Sequence, residues 1–273
     1  MNPRPRYCYW SVVDGEYPLL LQSAIASARA CGVTEDFHVW TTAPVAGAIC
    51  HPCGPLNKDL FLFKFTFLRG CARHLNYDYL VWLDADHFFV RHPGDVLRVL
   101  AGAPVHATLE SDLTRPQNRR GDWWGIPVPS FIALLRQKGV RGPTFYNTNA
   151  GFWIVHRDVV DRFCELALDF WHACEANLWT VTEEAPLAYA AQILGGDPAP
   201  HTQMAIADLW ASDWTGHFAG RLPDGRPWPY EDFFTGERFP VNPALVHAMR
   251  SKSVLKARAA ALNSQPSTLN PLP

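Results

Sequence analysis

The first clear pattern along the chain is Tyr7–Val13, a short apolar run rich in aromatic and β-branched side chains, which predicts a strand. Pro18 then stands where a helix can begin. Leu21, Ala24, Ile25, Ala28 and Cys31 recur at helical spacing, and Gly32 suits the position just past the last turn. Phe37–Thr41 reads as another strand. A strand–helix–strand unit at the start predicts an α/β fold with parallel strands.

Ala43–Lys58 is irregular, with Pro, Gly and Cys, and Leu60–His74 reads as a helix. Tyr79–Leu83 (Tyr-Leu-Val-Trp-Leu) is apolar without alternation, as expected of a strand buried on both faces. Pro93–Leu100 predicts a short helix and Val105–Leu109 a strand, and Ser111–Pro129 has the composition of a mobile loop. Gly151–Val155 reads as a strand. Asp158 is placed to cap an amphipathic helix whose stripe is Phe163, Leu166, Ala167, Phe170, Trp171 and Cys174. Glu183–Ile193 predicts a helix, Gly195–Pro240 fits no simple pattern, and Val241–His247 reads as a late strand. With no internal repeat and no sharp break in composition, one domain over residues 1–261 is expected, followed by a frayed tail over 262–273.

Composition narrows the function classes. At 273 residues, 48% hydrophobic and 18% charged, the chain can bury a large core and is not disordered. Lys+Arg 24 against Asp+Glu 26 gives a net charge of −2, which argues against a nucleic-acid partner. The first residues lack the apolar stretch of a secretory leader, no apolar run approaches the ~18 residues of a membrane span, and seven cysteines do not form a disulfide scaffold. A cytoplasmic protein with reduced thiols is the expectation. Cys50-His51-Pro52-Cys53 followed by Cys71 and His74 has the ligand types of a zinc site; Cys71 on a buried helix face with the rest in a loop is the competing reading.

The chemistry concentrates after the buried strand. Leu83-Asp84-Ala85-Asp86 follows Tyr79–Leu83 directly, and ligands of open α/β sheets bind outside the carboxyl ends of the strands. Carboxylates at i and i+2 there can hold one divalent cation, which can in turn hold a diphosphate; the plain alternative is a pair of turn-capping carboxylates. A dehalogenase-type phosphatase also places such a motif after a strand. Here His87-Phe88-Phe89 follows it and a whole strand–helix–strand unit precedes it, which disfavours that class. Lys64 is a lone cation among Leu60, Phe61, Leu62, Phe63, Phe65 and Phe67, so it calls for an anionic partner.

Taken in order from Tyr7 to Lys252, these segments resemble the GT-A glycosyltransferases, nearest to the retaining family-8 type that includes glycogenin-like and lipopolysaccharide galactosyltransferases. The resemblance implies a single α/β domain with a mixed, mostly parallel sheet, a nucleotide-binding N-terminal half and an acceptor-binding C-terminal half. Val12-Val13-Asp14-Gly15-Glu16-Tyr17 is similar to the family's A-A-D-x-N-Y, implying that Asp14 meets the uracil and Tyr17 stacks on it. Lys64, Asp84, Ala85 and Lys252 are implied on the nucleotide diphosphate, with Arg250 a rival for Lys252. Asn147-Thr148-Asn149-Ala150-Gly151-Phe152 resembles the family's F-N-A-G before a strand, implying Asn149 and Gly151 at the donor sugar. Asp112 is implied there too, with Glu110 as rival. Glu183-Glu184-Ala185-Pro186-Leu187 resembles D-Q-x-x-L, putting Glu183 on sugar hydroxyls and Glu184, in place of Gln, at the anomeric carbon as the catalytic group. His247 resembles the family's third metal ligand beside Asp84 and Asp86, although the motif's Gly and Pro-Trp are missing and its Lys comes one residue early.

The implied activity is transfer of a sugar from a nucleotide sugar, UDP-linked, to an acceptor hydroxyl with retention, using Mn2+ or Mg2+. Two rivals are a nucleotidyltransferase of the same fold, disfavoured by the acidic Asp14-Gly15-Glu16 where that class has a Gly-rich basic loop, and a non-catalytic glycan- or partner-binding relative. Ten of the eleven tryptophans divide accordingly. Trp10, Trp40, Trp82, Trp153 and Trp171 lie on predicted strands or a core stripe, and Trp123, Trp124, Trp210, Trp214 and Trp228 lie in irregular segments where they can face a sugar.

Overall fold

A computed structural model describes residues 4–56, 62–100, 102–116, 121–123, 125–179, 182–195, 209–212, 228–231, 238–249 and 252–253. The main sheet is built from β1 (Tyr7–Val13), β2 (Phe37–Thr41), β3 (Ile49–Pro52), β4 (Tyr79–Leu83), β6 (Val105–Asp112) and β9 (Tyr146–His156), in the order β3-β2-β1-β4-β9-β6. β1 to β4 run parallel, and β9 runs antiparallel to both its neighbours, so the sheet is mixed and mostly parallel. A second sheet of three strands, in the order β10-β13-β5, joins β10 (Trp210–Ser212) and β13 (Leu245–His247) to β5 (His87–Phe89). Two small antiparallel pairs complete the strands: β7 (Asp122–Trp123) with β8 (Ile126–Pro127), and β11 (Trp228–Glu231) with β12 (Arg238–Val241).

The first strand–helix–strand unit forms as its pattern predicts. α1 (Tyr17–Ala30) has Pro18 in its first turn and buries Leu20, Leu21, Ala24, Ile25 and Ala28. It ends where Gly32 takes φ +83°, which favours glycine, while Val33 N–H returns to Ala28 O at 3.0 Å. This helix covers one face of the sheet, with Tyr9, Val81 and Ile154 beneath it.

The opposite face packs against α2 (Phe63–Cys71), α3 (Val128–Gln137), α4 (Val160–Ala176) and α5 (Glu184–Gly195). Its centre is a row of three indoles. The registers Trp10↔Trp82 and Trp82↔Trp153 set Trp10, Trp82 and Trp153 side by side across β1, β4 and β9, with ring centroids 4.5–5.9 Å apart. All three are essentially fully buried, and Trp40 and Trp171 are buried as well. The five tryptophans assigned to packing therefore do pack.

Several boundaries differ from the sequence reading. Val105–Leu109 extends to Asp112. Gly151–Val155 is the second half of β9, so Asn147–Gly151 lies inside a strand rather than before one. Asp158 does not cap the long helix: it sits in a 3-10 turn (Arg157–Val159), and α4 starts from Val159 with no side-chain cap. The stretch after Ala43 contains β3, and the segment read as a mobile loop contains β7, β8 and the start of α3. Val241–His247 divides between the end of β12 and β13. Leu60, Phe61, Trp124, Trp214, the tail 262–273 and, within 196–240, residues 196–208, 213–227 and 232–237 lie outside the described residues.

All seven cysteines are free thiols, and no helix among the described residues is long and apolar enough to cross a membrane. The zinc reading is corrected. Cys50 is exposed and turns its sulfur to the backbone of Val45 and Ala48, Cys71 is buried on α2, and Cys50, Cys53, Cys71 and His74 form no common ligand cluster. The indole row gives a direct expectation for stability. Trp153→Ala, which empties the end of the row packed against Phe65 and Phe163, should cost about 3–5 kcal/mol in urea unfolding. A loss under about 1 kcal/mol would mean that the row does not hold the core together.

Candidate functional site

The Asp84–Asp86 turn is pinned on both sides. It leaves β4 with Asp84 N–H on Gly151 O at 3.0 Å, and enters β5 with Asp86 O accepting Ala248 N–H at 2.9 Å. The first bond ties it to the main sheet and the second to β13. On the strand, positions 82 and 84 share a face, and Trp82 Nε1 donates to Asp84 Oδ1 at 2.8 Å.

Lys64 comes to the same oxygen from α2. Its ammonium is buried, 3.0 Å from Asp84 Oδ1, 2.6 Å from Glu183 Oε1, and 4.8 Å above the Trp82 ring. Burial pushes its pKa down, but the Asp84 and Glu183 charges outweigh that and hold it above the ordinary lysine value. The anionic partner demanded by its apolar setting is thus a pair of carboxylates from β4 and from the residue before α5.

Asp86 is also buried. Oδ1 lies 3.1 Å from His247 Nε2 and Oδ2 lies 2.8 Å from Lys252 Nζ. Burial alone would raise its pKa; His247 and Lys252 outweigh that and hold the carboxyl well below its usual range. Lys252 itself is raised, since the pull of Asp86 exceeds its partial desolvation.

His247 is held by its surroundings. A Cβ added to Gly151 would stand 2.8 Å from its Nδ1 and Cε1, so only glycine on β9 lets the ring lie there. His87, directly opposite on β5, stacks parallel to it with centroids 4.6 Å apart. His87 Nδ1 is 2.9 Å from Asp84 O, and its Nε2 is 2.7 Å from Trp210 Nε1. Burial, aided by His247, pushes the His87 pKa down to about 3, so its ring is neutral at ordinary pH.

The carboxylates and lysines border a cleft of about 280 Å3 at the carboxyl ends of β1 and β4, and His247 and His87 lie behind Asp86 rather than on the cleft walls. Its walls include Asp14, Tyr17, Lys64, Asp84, Ala85, Asp86, Glu183 and Lys252, eight of the residues singled out in the sequence. Asp14 is anchored by Leu56 N–H on Oδ2 at 3.0 Å, and Tyr17 is 40% exposed with Lys252 Nζ 6.0 Å from its ring centroid.

The remaining candidates lie elsewhere. Asn149 is buried and spends its Oδ1 on Gly151 N–H at 2.8 Å, which fixes the strand beside His247. Gly151 serves the same ring. Asp112 binds Thr114 N–H at 2.8 Å in a turn outside the cleft. Glu184 is buried at the start of α5, near Thr182 Oγ1 at 3.4 Å, and does not line the cleft as Glu183 does. The Glu110 side chain, Arg250 and the Trp228 side chain are outside the described atoms. Two of the tryptophans assigned to sugar contact are corrected. Trp123 is 3% exposed and packs on Phe131, and Trp210 is 4% exposed and bonds His87. His87 was missed as a site residue, although its place immediately after Asp86 is a signal for it.

The donor set suits a hard or borderline divalent cation. Asp84 and Asp86 supply carboxylate oxygens, and His247 an imidazole whose Nδ1 has no partner among the described residues. Asp86, His87 and His247 offer ligand atoms within 4.8 Å of one another. Both nitrogens of His87 are already engaged, and Asp84 stands beside Asp86 on the wall of the cleft.

No protein-family model and no curated protein matches the chain. Solved structures do match in fold, and two of them are of LgtC. One is an active-site glutamine-to-glutamate mutant of LgtC, 14% identical with a TM-score of 0.54. The other is the galactosyltransferase LgtC in complex with donor and acceptor sugar analogues, 15% identical with a TM-score of 0.53. Each likeness covers 96% of this chain and 98% of the other. The chain has the GT-A fold. Within the GT-A fold of this chain, the cleft lies at the carboxyl ends of parallel strands, where open sheets bind ligands.

Two expectations follow from the charges. Lys64→Met leaves Asp84 and Glu183 without their shared cation and should cost about 3–5 kcal/mol near neutral pH. The deficit relative to wild type should shrink as pH falls below about 5, because the stranded carboxylates then bind protons in the folded state. A deficit independent of pH in urea titrations would rule this out. The buried neutral His87 works in the other direction. With its folded pKa depressed to about 3, its contribution is complete above the unfolded value of about 6.5 and is lost as pH falls, by about 1.4 kcal/mol per unit. His87→Gln should remove about one proton from the slope of stability against pH between about 6.5 and 4.

Proposed function

We propose that the chain is a glycosyltransferase that moves a hexosyl group from a nucleotide sugar, UDP-linked, to an acceptor hydroxyl with retention, and that it depends on Mn2+ or Mg2+. The observation that carries this reading is a cleft with Asp84 and Asp86 on one wall, where Asp86 is paired with His247 and Lys252, and with Asp14 and Tyr17 on the other. That cleft suits a base at Asp14 and Tyr17 and a diphosphate between Lys64 and Lys252. The GT-A fold shared with the galactosyltransferase LgtC supports the same class of donor.

Asp84, Asp86 and His247 are the residues that would hold the cation, which when bound supplies charge neutralisation to a diphosphate leaving group. The chain's own groups do the rest. Tyr17 offers a ring face to the base, and Asp14 accepts from its imide. Lys64 and Lys252 present ammoniums to phosphate oxygens while anchored on Asp84 and Asp86. The reading assigns Glu183, Asn149, Gly151 and Asp112 to the donor-sugar side, and Glu184 to the anomeric centre as the catalytic carboxylate. Ala85 contributes the small backbone step that lets Asp84 and Asp86 face the same cleft.

A panel of nucleotide sugars incubated with Mn2+ should reveal metal-dependent donor hydrolysis, with UDP sugars preferred. Asp86→Ala should lower it by roughly 100-fold or more, the several kcal/mol such a cation supplies. Calorimetry should show UDP binding that requires Mn2+. Release of pyrophosphate from a nucleoside triphosphate would instead identify a nucleotidyltransferase. Absence of both, with tight glycan binding, would identify a non-catalytic relative.

A further inference from the structure

His87 is the ligand that the proposed metal centre does not use, and the structure shows what withholds it. Its ring is fully buried, and one of its nitrogens lies in a cluster with a donor atom each of Asp86 and His247. Two imidazoles and one carboxylate are a donor set well suited to zinc. Two separate bonds fix its tautomer. The Asp84 carbonyl 2.9 Å from Nδ1 can only accept, so Nδ1 carries the proton. The Trp210 indole 2.7 Å from Nε2 can only donate, so the single lone pair of the neutral ring is already taken. Trp210 itself is buried on β10, beside both imidazoles, with ring centroids 6.3 Å from His87 and 5.9 Å from His247.

We propose that Trp210 sets the metal preference of the site: its indole N–H occupies the lone pair of His87 and keeps the centre at two carboxylates and one imidazole. This rests on the metal reading above. A centre of that composition holds the margin by which zinc outbinds Mn2+ or Mg2+ small, whereas a second imidazole raises zinc affinity more than manganese affinity. His87, so occupied, becomes a brace. It supports the Asp84 carbonyl on one side and the His247 ring face on the other.

The test titrates Zn2+ and Mn2+ separately by calorimetry into the wild-type chain and into Trp210→Phe, which keeps an aromatic ring and removes the N–H. The ratio of zinc to manganese affinity should rise roughly tenfold or more in the variant, the scale of effects from groups behind the ligands. The Co2+-loaded variant should also show a stronger, shifted visible absorption. Adding His87→Asn to Trp210→Phe should return the ratio to that of the wild type. If Trp210→Phe does not fold, pulsed electron paramagnetic resonance of the Mn2+-loaded wild type still decides. One coupled imidazole supports the proposal, and two overturn it. Wild type that binds no Mn2+ overturns the metal reading and this inference together. Wild type that binds Mn2+, with an unchanged ratio in Trp210→Phe, overturns this inference alone.

Discussion

A buried ammonium between two carboxylates organises the carboxyl end of the sheet. Lys64 on α2, Asp84 after β4 and Glu183 before α5 come from separate parts of the chain, and both carboxylates lie within 3.0 Å of the ammonium. None of them is stable there alone, since an unpaired charge at that depth costs several kcal/mol. Trp82 adds to the bond from below, with its ring under the ammonium and its N–H on the same Asp84 oxygen. Since Trp82 is also the middle strand's member of the indole row, the packing of the core and the aim of Asp84 are one structural fact.

The second carboxylate is aimed by the second sheet. Asp86 leads into β5, which pairs with β13, and the pairing places His247 opposite His87 and beside Gly151 of the reversed strand β9. Asn149 takes part by binding the Gly151 N–H. A methyl group at 151 would push the His247 ring away from Asp86. The glycine and asparagine inferred at a donor sugar thus have a nearer physical duty, which is to leave room for an imidazole and to hold the strand that makes the room.

What the sequence made legible follows from where its signals are local. β1, α1, β2 and β4 are read from short unbroken patterns, and the pair Asp84 and Asp86 stands out because a buried strand precedes it. Lys64 was legible as a cation in want of anions, because its neighbours are apolar. Its second anion, 119 residues away at Glu183, was not legible as its partner, since the family likeness implied sugar hydroxyls for that residue. The three-residue strands β5, β10 and β13 are too short to show a period, and they draw their stability from one another. That is why Trp210, set in a segment rich in Pro, Gly and Trp, looked like a surface platform and is instead a buried donor to His87. Trp123 misled for a related reason, since a two-residue hairpin strand gives no pattern to distinguish a core indole from an exposed one.

The charges explain why these parts belong to one site. Asp84, Asp86 and Glu183 outnumber Lys64 and Lys252 by one along the same wall, and Asp14 adds a further carboxylate at the far end. Such a cleft repels a bare diphosphate and attracts a cation, so the two are best accommodated together. The lysines do not cancel this bias, because each is already committed to a carboxylate, Lys64 to Asp84 and Glu183 and Lys252 to Asp86. Lys252 is the more exposed of the two, so it can exchange Asp86 for a phosphate oxygen at small cost, whereas Lys64 is enclosed and must act from where it stands. The wall therefore combines one fixed positive charge with one that can move, and the proposed exchange of a nucleotide sugar for a nucleotide would use both.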